Sequence, residues 1–369
     1  MRLFLPAAVL NATVAAFPNN WRIVEFAPGN TKILPEAGKL DLIKEGIKSI
    51  DVSGWPGPPK KLDCHQVRHP TQVAQNESVT CLIQQLDIAK MRPNLETFTN
   101  FHNRHYESET GRQSSEWLLR QARSYVPLGS LATVSLFHHA SQKSSIIATI
   151  PGKSPKTIVL GAHCDSINTS GDADEWWNAR APGADDNGSD SITILEVFRT
   201  LLTNRTIANG SAPHTIEFHW YAKEELGLLG SGHIFSTYAA EGRDIAAMLN
   251  QEMTGYTAGY TSHNMTPKFG IVTDGTSAPL TEFMRLIIDA YTHTEVVDTR
   301  CGYACSDHGS VTRAGYPSAF VFEGEMRGVN DYPFIHSADD TIENIDFEHV
   351  LEHARLVVGF VVELAFAEL

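Results

Sequence analysis

Five short stretches of this sequence hold residues suited to binding and using a metal ion. In Gly161-Ala162-His163-Cys164-Asp165 a histidine stands two positions before an acid, so one ring nitrogen can bind a metal while the carboxylate fixes the ring. The run APGADDNG sets Asp185 beside Asp186 in a Pro/Gly loop, where neighbouring carboxylates repel unless a cation or a helix N-terminus neutralises them. Glu224 and Glu225 precede a glycine turn and suit a general base next to a metal ligand, the division of labour of metal-assisted hydrolysis. Glu252 supplies another acid and His336 a second histidine. Mixed nitrogen and oxygen ligation is normal for catalytic zinc, and these residues suit two ions. The first three stretches also have ordinary explanations: a structural His–Asp pair, a helix cap at Asp186 or Asn187, and a solvated charge run before Gly227.

The elements that must position these residues are legible in the hydrophobic pattern. Apolar or β-branched runs at 157–160, 215–221 and 246–250 lead into His163, Glu224 and Glu252. Further strands are expected at 132–137, 146–150, 269–272 and 318–322. Helical periodicity covers 81–91, 94–101, 113–124, 189–203, 231–240, 278–292 and 347–367. This order predicts an α/β sandwich with a mostly parallel sheet, whose ligand site gathers beyond the carboxyl ends of the strands.

The chain before residue 76 reads differently. Met1-Arg2 followed by an apolar run too short to span a bilayer, then Val14-Ala15-Ala16, predicts a signal peptide over 1–16. Residues 17–75 predict a propeptide or N-terminal arm, with one short helix near 35–47 and a turn-rich linker ending at Lys60-Lys61, and no core of its own. Residues 76–369 form the catalytic domain. Sequons at Asn76, Asn168, Asn187, Asn204, Asn209 and Asn264 agree with secretion, with Asn187 expected to stay unmodified inside its tight loop. Five cysteines leave one thiol over, and Cys64 with Cys81 is one possible pair. With 29 Lys+Arg against 43 Asp+Glu, the chain lacks the basic face a nucleic-acid binder needs, and its 42% apolar and 20% charged residues exclude low-complexity disorder.

The strings GAHCDS, APGADDNGSD, YAKEELGLLGS, QEMTGY, CGYACSDHGS and FIHSADDT, in this order, resemble the secreted di-zinc aminopeptidases of peptidase family M28, in particular the fungal leucine aminopeptidases. The resemblance implies a three-layer α/β sandwich with a mixed, mostly parallel central sheet, of the zinc-dependent exopeptidase type. It implies two Zn2+: Asp185 bridging them, His163 and Glu252 completing one site, Glu225 and His336 the other. Glu224 becomes the general base, Asp165 and Asp186 support the ligands, and the Asp185–Asp186 peptide is cis. Tyr303 resembles the residue whose hydroxyl stabilises the tetrahedral intermediate, inside a Cys301–Cys305 disulfide. Met253, Phe320, Phe322 and Tyr332, with Phe269 and Phe334, are candidates for a pocket that takes leucine or another large apolar N-terminal side chain. The implied protein is a secreted, extracellular monomer acting on peptides with a free N-terminus, held by its own propeptide, with no nucleic-acid or membrane partner. Glu252 stands where relatives carry Asp, and Asp190 where they carry Gly, so the His163/Glu252 site is expected to bind its ion more weakly. The alternatives are a mono-zinc glutaminyl-cyclase-like enzyme and an inactive binding module of the same fold.

Overall fold

In the computed structural model, which describes residues 20–55, 57–60, 67–139, 141 and 143–369, the strand-forming runs assemble into a small sheet and a large one. The expected signal peptide and Cys64 lie outside the described residues. The arm contributes β1 (Trp21–Ala27), β2 (Asn30–Pro35) and β3 (Ile50–Asp51), antiparallel in the order β2-β1-β3, with helix Glu36–Lys44 between the last two. The catalytic domain contributes β4 (Thr133–Phe137), β5 (Ser145–Ile150), β6 (Ser154–His163), β7 (His214–Tyr221), β8 (Ile245–Gln251), β9 (Lys268–Val272), β10 (Glu295–Thr299) and β11 (Ser318–Phe322). Their order is β10-β9-β11-β8-β6-β7-β5-β4, parallel from β11 through β8 and β6 to β7 and between β9 and β10, antiparallel elsewhere.

Strand alternation builds the layers. Ile158, Leu160 and Ala162 of β6 face one apolar core with Ile216, Phe218 and Trp220 of β7, while Val159, Tyr221 and Met248 face the other. Helices Asp190–Leu201 and Phe347–Phe366 cover the first face. Helix Leu229–Glu241 covers the second through Ile234, Phe235 and Tyr238. The apolar stretch at 356–362 is therefore a buried helix, each large side chain worth about 1.5–3 kcal/mol. Among the described residues no helix is long and apolar enough to cross a membrane.

The pattern reading missed β10, an edge strand whose Glu295 and Asp298 are exposed and break the apolar alternation, a common way of keeping an edge unpaired. The helix expected over 81–91 divides into Asn76–Ile83 and Ile88–Asn100, because Asp87 caps the second by accepting from the Ala89 amide at 2.9 Å. The arm holds more structure than its linker composition suggested, yet it borrows its core. Ile50 and Val52 pack on Leu228 and Ala304 of the catalytic domain, and the buried Lys39 ammonium reaches Asp51 at 3.0 Å and the Leu226 carbonyl at 3.4 Å.

Two buried cations tie together the loops leaving the sheet. The Arg104 guanidinium donates to the carbonyls of Cys164 (3.2 Å), Pro182 and Gly183 (2.8 Å), and lies 4.3 Å from the Phe98 ring centroid. Lys143 Nζ donates to the Cys164 carbonyl at 2.7 Å and to that of Arg104 at 2.9 Å. Burial pulls the Arg104 pKa down to about 10, which still leaves the group charged at neutral pH. Arg104→Leu leaves the Pro182 and Gly183 carbonyls without this donor, and a loss of about 1–3 kcal/mol per carbonyl in unfolding free energy is expected, read as a lower denaturant midpoint at unchanged slope. A midpoint equal to that of the parent contradicts this role.

Candidate metal centre

Parallel neighbours β7, β6 and β8 end at one edge, and this register gathers the acids. His163 is the last residue of β6, Glu224 and Glu225 follow β7, and Glu252 follows β8 directly. Asp186 comes from the loop entering helix Asp190–Leu201, and His336 from the loop between β11 and the last helix. Lys223, Met253 and His336, each at or beside an acidic or histidine position of the site, have φ of 62°, 53° and 53°, the left-handed region where turns re-aim side chains.

The centre of the cluster is the Asp186 carboxylate. Its Oδ1 lies 3.0 Å from His163 Nε2 and its Oδ2 lies 3.1 Å from His336 Nε2. His336 Nε2 also lies 2.9 Å from Glu225 Oε2. Asp165 sits 3.5 Å from His163 Nδ1 and accepts from the backbone amides of Glu224 (3.2 Å) and Glu225 (3.4 Å), so one acid orients the histidine and the Glu pair together. Potential ligand atoms of His163, Asp186 and Glu225 lie within 4.8 Å of one another. Glu225 Oε1 is buried without a hydrogen-bond partner, and the His163 ring nitrogens form no well-aligned hydrogen bond among the described residues. Groups left in that state fit a divalent metal.

The electrostatics fit as well. Burial raises the Glu224 pKa well above the usual carboxylate range, reinforced by the charge of Glu252 and opposed by His163. Glu252 is lifted to about 7, again chiefly by burial. Burial opposes the charged form of His336, but Glu225 and Asp186 outweigh it and raise the pKa to about 10. Asp186 moves down despite its burial, because His163 and His336 flank it. A metal replaces the histidine protons in this balance, so uptake is coupled to proton release.

The geometry differs from the expectation at this pair of acids: Asp186, and not Asp185, is the carboxylate that lies between the two histidines. Asp185 turns inward, where its Oδ1 accepts from the Gly255 amide at 2.9 Å and its pKa is raised by burial to about 6. The reason is local. Asp186 has extended dihedrals (φ −102°, ψ 94°), so successive side chains point to opposite sides, and Asp340 fixes the register by accepting from the amides of Asp185 (2.8 Å) and Asp186 (3.0 Å). Asp186 thus faces the histidines directly, and the cis peptide joins Asp186 to Asn187, not Asp185 to Asp186. The buried Asn187 amide bonds the Gln251 carbonyl at 3.1 Å and the Met253 amide at 3.3 Å, tying this loop to the one carrying Glu252.

Glu252 lines the cavity with Asp186, Glu224, Glu225 and His336, and the Ser306 hydroxyl donates to its carboxylate. Met253, Phe320, Phe322 and Tyr332 share one apolar cluster with Tyr256, Val272 and the Cys301–Cys305 disulfide, with Phe334 packed against it. Phe269 belongs instead to the main core, its ring centroid 4.4 Å from that of His353. Tyr303 is placed elsewhere: its hydroxyl donates to Glu25 of the arm. Sequence reasoning missed Asp340, Ser306 and Arg104. Asp340 stands in the quoted FIHSADDT string, but nothing there marks which of its two acids turns toward the Asp185–Asp186 amides.

Residues 145–361 match the family described as Peptidase family M28. The chain belongs to peptidase family M28. It is 42% identical to the probable leucine aminopeptidase 1 of Trichophyton verrucosum, over 98% of each chain. It is 46% identical to leucine aminopeptidase 1 of Leptosphaeria maculans, over 94% of this chain and 89% of that one. Among solved structures it superposes on the LapA aminopeptidase of Legionella pneumophila with a TM-score of 0.79, at 25% identity over 96% of each chain. This M28 chain is a zinc-dependent aminopeptidase with the mixed, mostly parallel sheet of that fold.

Asn substitution separates the two adjacent acids. Asp186→Asn is expected to weaken zinc binding by more than about a thousandfold, whereas Asp185→Asn, which keeps an oxygen for the Gly255 amide, costs no more than about tenfold. Equilibrium dialysis with metal analysis decides it, and the opposite ranking contradicts the geometry.

Proposed function

We propose that the chain is an extracellular aminopeptidase that removes leucine or another large apolar residue from peptide N-termini, using two zinc ions that share Asp186. The observation that carries this reading is the Asp186 carboxylate held between His163 and His336. His163 and Glu252 complete one site, Glu225 and His336 the other. Bound zinc supplies a Lewis acid for the scissile carbonyl and acidifies the attacking water.

The remaining work falls to this chain's own side chains. Glu224, raised in pKa by burial and by its acidic neighbours, takes the proton from the water and delivers it to the leaving amine. Glu252 and the other cavity carboxylates attract the substrate's ammonium group. Met253, Phe320, Phe322 and Tyr332 form the apolar wall that receives its side chain. Tyr303 turns its hydroxyl to the developing oxyanion once Glu25 has left it.

Residues 17–75 are a propeptide in this reading. What supports it is that Ile43, Gly46, Ile47, Lys48 and Ser49 wall the same cavity as Glu224, Glu225 and His336, with the Lys48 charge acting on Glu252. An arm in that position stands where the substrate's N-terminal residue must sit.

Glu224→Gln is expected to keep its zinc content while kcat falls by about 10²–10⁴, measured on leucine p-nitroanilide. Loss of metal, or activity within about tenfold of the parent, contradicts the proton-shuttle role. For the arm, N-terminal sequencing of secreted active protein is expected to begin beyond residue 60, with the unprocessed chain at least about tenfold slower at saturating substrate. Active protein beginning at Phe17 refutes the propeptide reading.

A further inference from the structure

The arm's Glu25 is fully buried, and much of what binds its carboxylate belongs to the catalytic domain. The Arg313 guanidinium donates from Nε to Oε1 at 3.2 Å and from Nη2 to Oε2 at 3.4 Å, and the Tyr303 hydroxyl donates to Oε1. Within the arm, the Gly29 amide donates to Oε2 at 3.3 Å. Arg313 Nη2 also donates to the Gly57 carbonyl at 3.2 Å, and the guanidinium lies 4.5 Å from the Trp55 ring centroid. Glu25, Gly57 and Trp55 all sit on the arm. Among the described residues the catalytic domain gives the guanidinium no acid of its own.

We propose that Glu25 stands in for a substrate carboxylate, and that Arg313, freed when the arm leaves, binds a carboxylate on the peptide downstream of the scissile bond. This rests on the propeptide reading above. The planar guanidinium fork is matched to a carboxylate, and here it already holds one in two-point contact. The location fits. Ala304 and Cys305 wall the metal cavity, while Ala304 with Tyr303, Thr312 and Arg313 walls a second cavity. The two cavities share Ala304, so a peptide whose first residue occupies the metal cavity can run on toward the cavity that Arg313 walls. The residues of the metal cavity are mainly acidic, whereas the neighbouring cavity offers the Arg313 guanidinium as a counter-charge for a substrate acid. Tyr303 surrenders Glu25 at the same moment, and its proton becomes available for the carbonyl. One contact therefore both holds the arm and marks the place the substrate's acid will take.

The carboxylate can be a C-terminus or an acidic side chain, and four substrates tell them apart: Leu-Gly-Gly, its C-terminal amide, Leu-Gly-Glu amide and Leu-Gly-Gln amide. The secreted, processed protein is assayed for kcat/KM on each after its mass has been measured. At least about a tenfold preference for the free acid over its amide assigns the C-terminus, and a similar preference for the Glu over the Gln amide assigns the side chain. Either preference should fall to within about twofold in Arg313→Gln and persist in part in Arg313→Lys, which keeps the charge without the fork. Equal rates on all four substrates with the arm gone overturn the proposal and leave the propeptide reading standing. A preference unchanged in Arg313→Gln overturns it too. Active protein that retains the arm overturns both readings. Should Arg313→Gln fail to fold, the parent's substrate ratios and Arg313→Lys still decide.

Discussion

Everything in this molecule that bears on chemistry depends on one carboxylate lying between two histidines. Asp186 reaches His163 with one oxygen and His336 with the other, and the two histidines come from distant parts of the sequence. His163 ends a central strand, whereas His336 stands in the loop between β11 and the last helix. A shared anion is the simplest device that holds two metal-binding rings facing one another, because each of its oxygens satisfies a different partner. The same device explains why the site is so acidic. Glu224, Glu225 and Glu252 converge on a space that only cations make tolerable.

The support behind this carboxylate is built from backbone contacts more than from charge pairs. Asp340 accepts the amides of both Asp185 and Asp186, and the Tyr332 hydroxyl holds Asp340 in turn at 2.7 Å. Arg104 and Lys143 collect the carbonyls of the two loops that carry His163 and Asp186. These cations turn toward carbonyl oxygens, so they rigidify the loops without pairing with the carboxylates of the cluster. Asn187 joins the Asp186 loop to the Glu252 loop. The site is a set of strand ends laced together by side chains that bond main chain.

Much of this was legible before any coordinates. Apolar or β-branched runs before His163, Glu224 and Glu252 placed three of the acidic stretches at strand ends, because short apolar runs of this kind mark buried strands. The choice between Asp185 and Asp186 was not legible: both share one loop, and which points outward depends on backbone dihedrals fixed by Asp340, more than 150 positions away. The arm's role at Arg313 was hidden for the same reason, since Glu25 and Arg313 are 288 positions apart and meet only through packing. Edge strand β10 escaped notice because its exposed acids erase the alternation that marks a strand. Local pattern reports which residues end a strand, and long-range contacts decide which of two neighbours does the work.

Anomalous diffraction at the zinc edge, from crystals of the zinc-loaded protein, tests the central claim most directly. The account predicts two zinc peaks, each bonded to a different oxygen of Asp186, with Asp185 still accepting from the Gly255 amide. Peaks bonded to Asp185, with Asp186 turned away from His163 and His336, would contradict it.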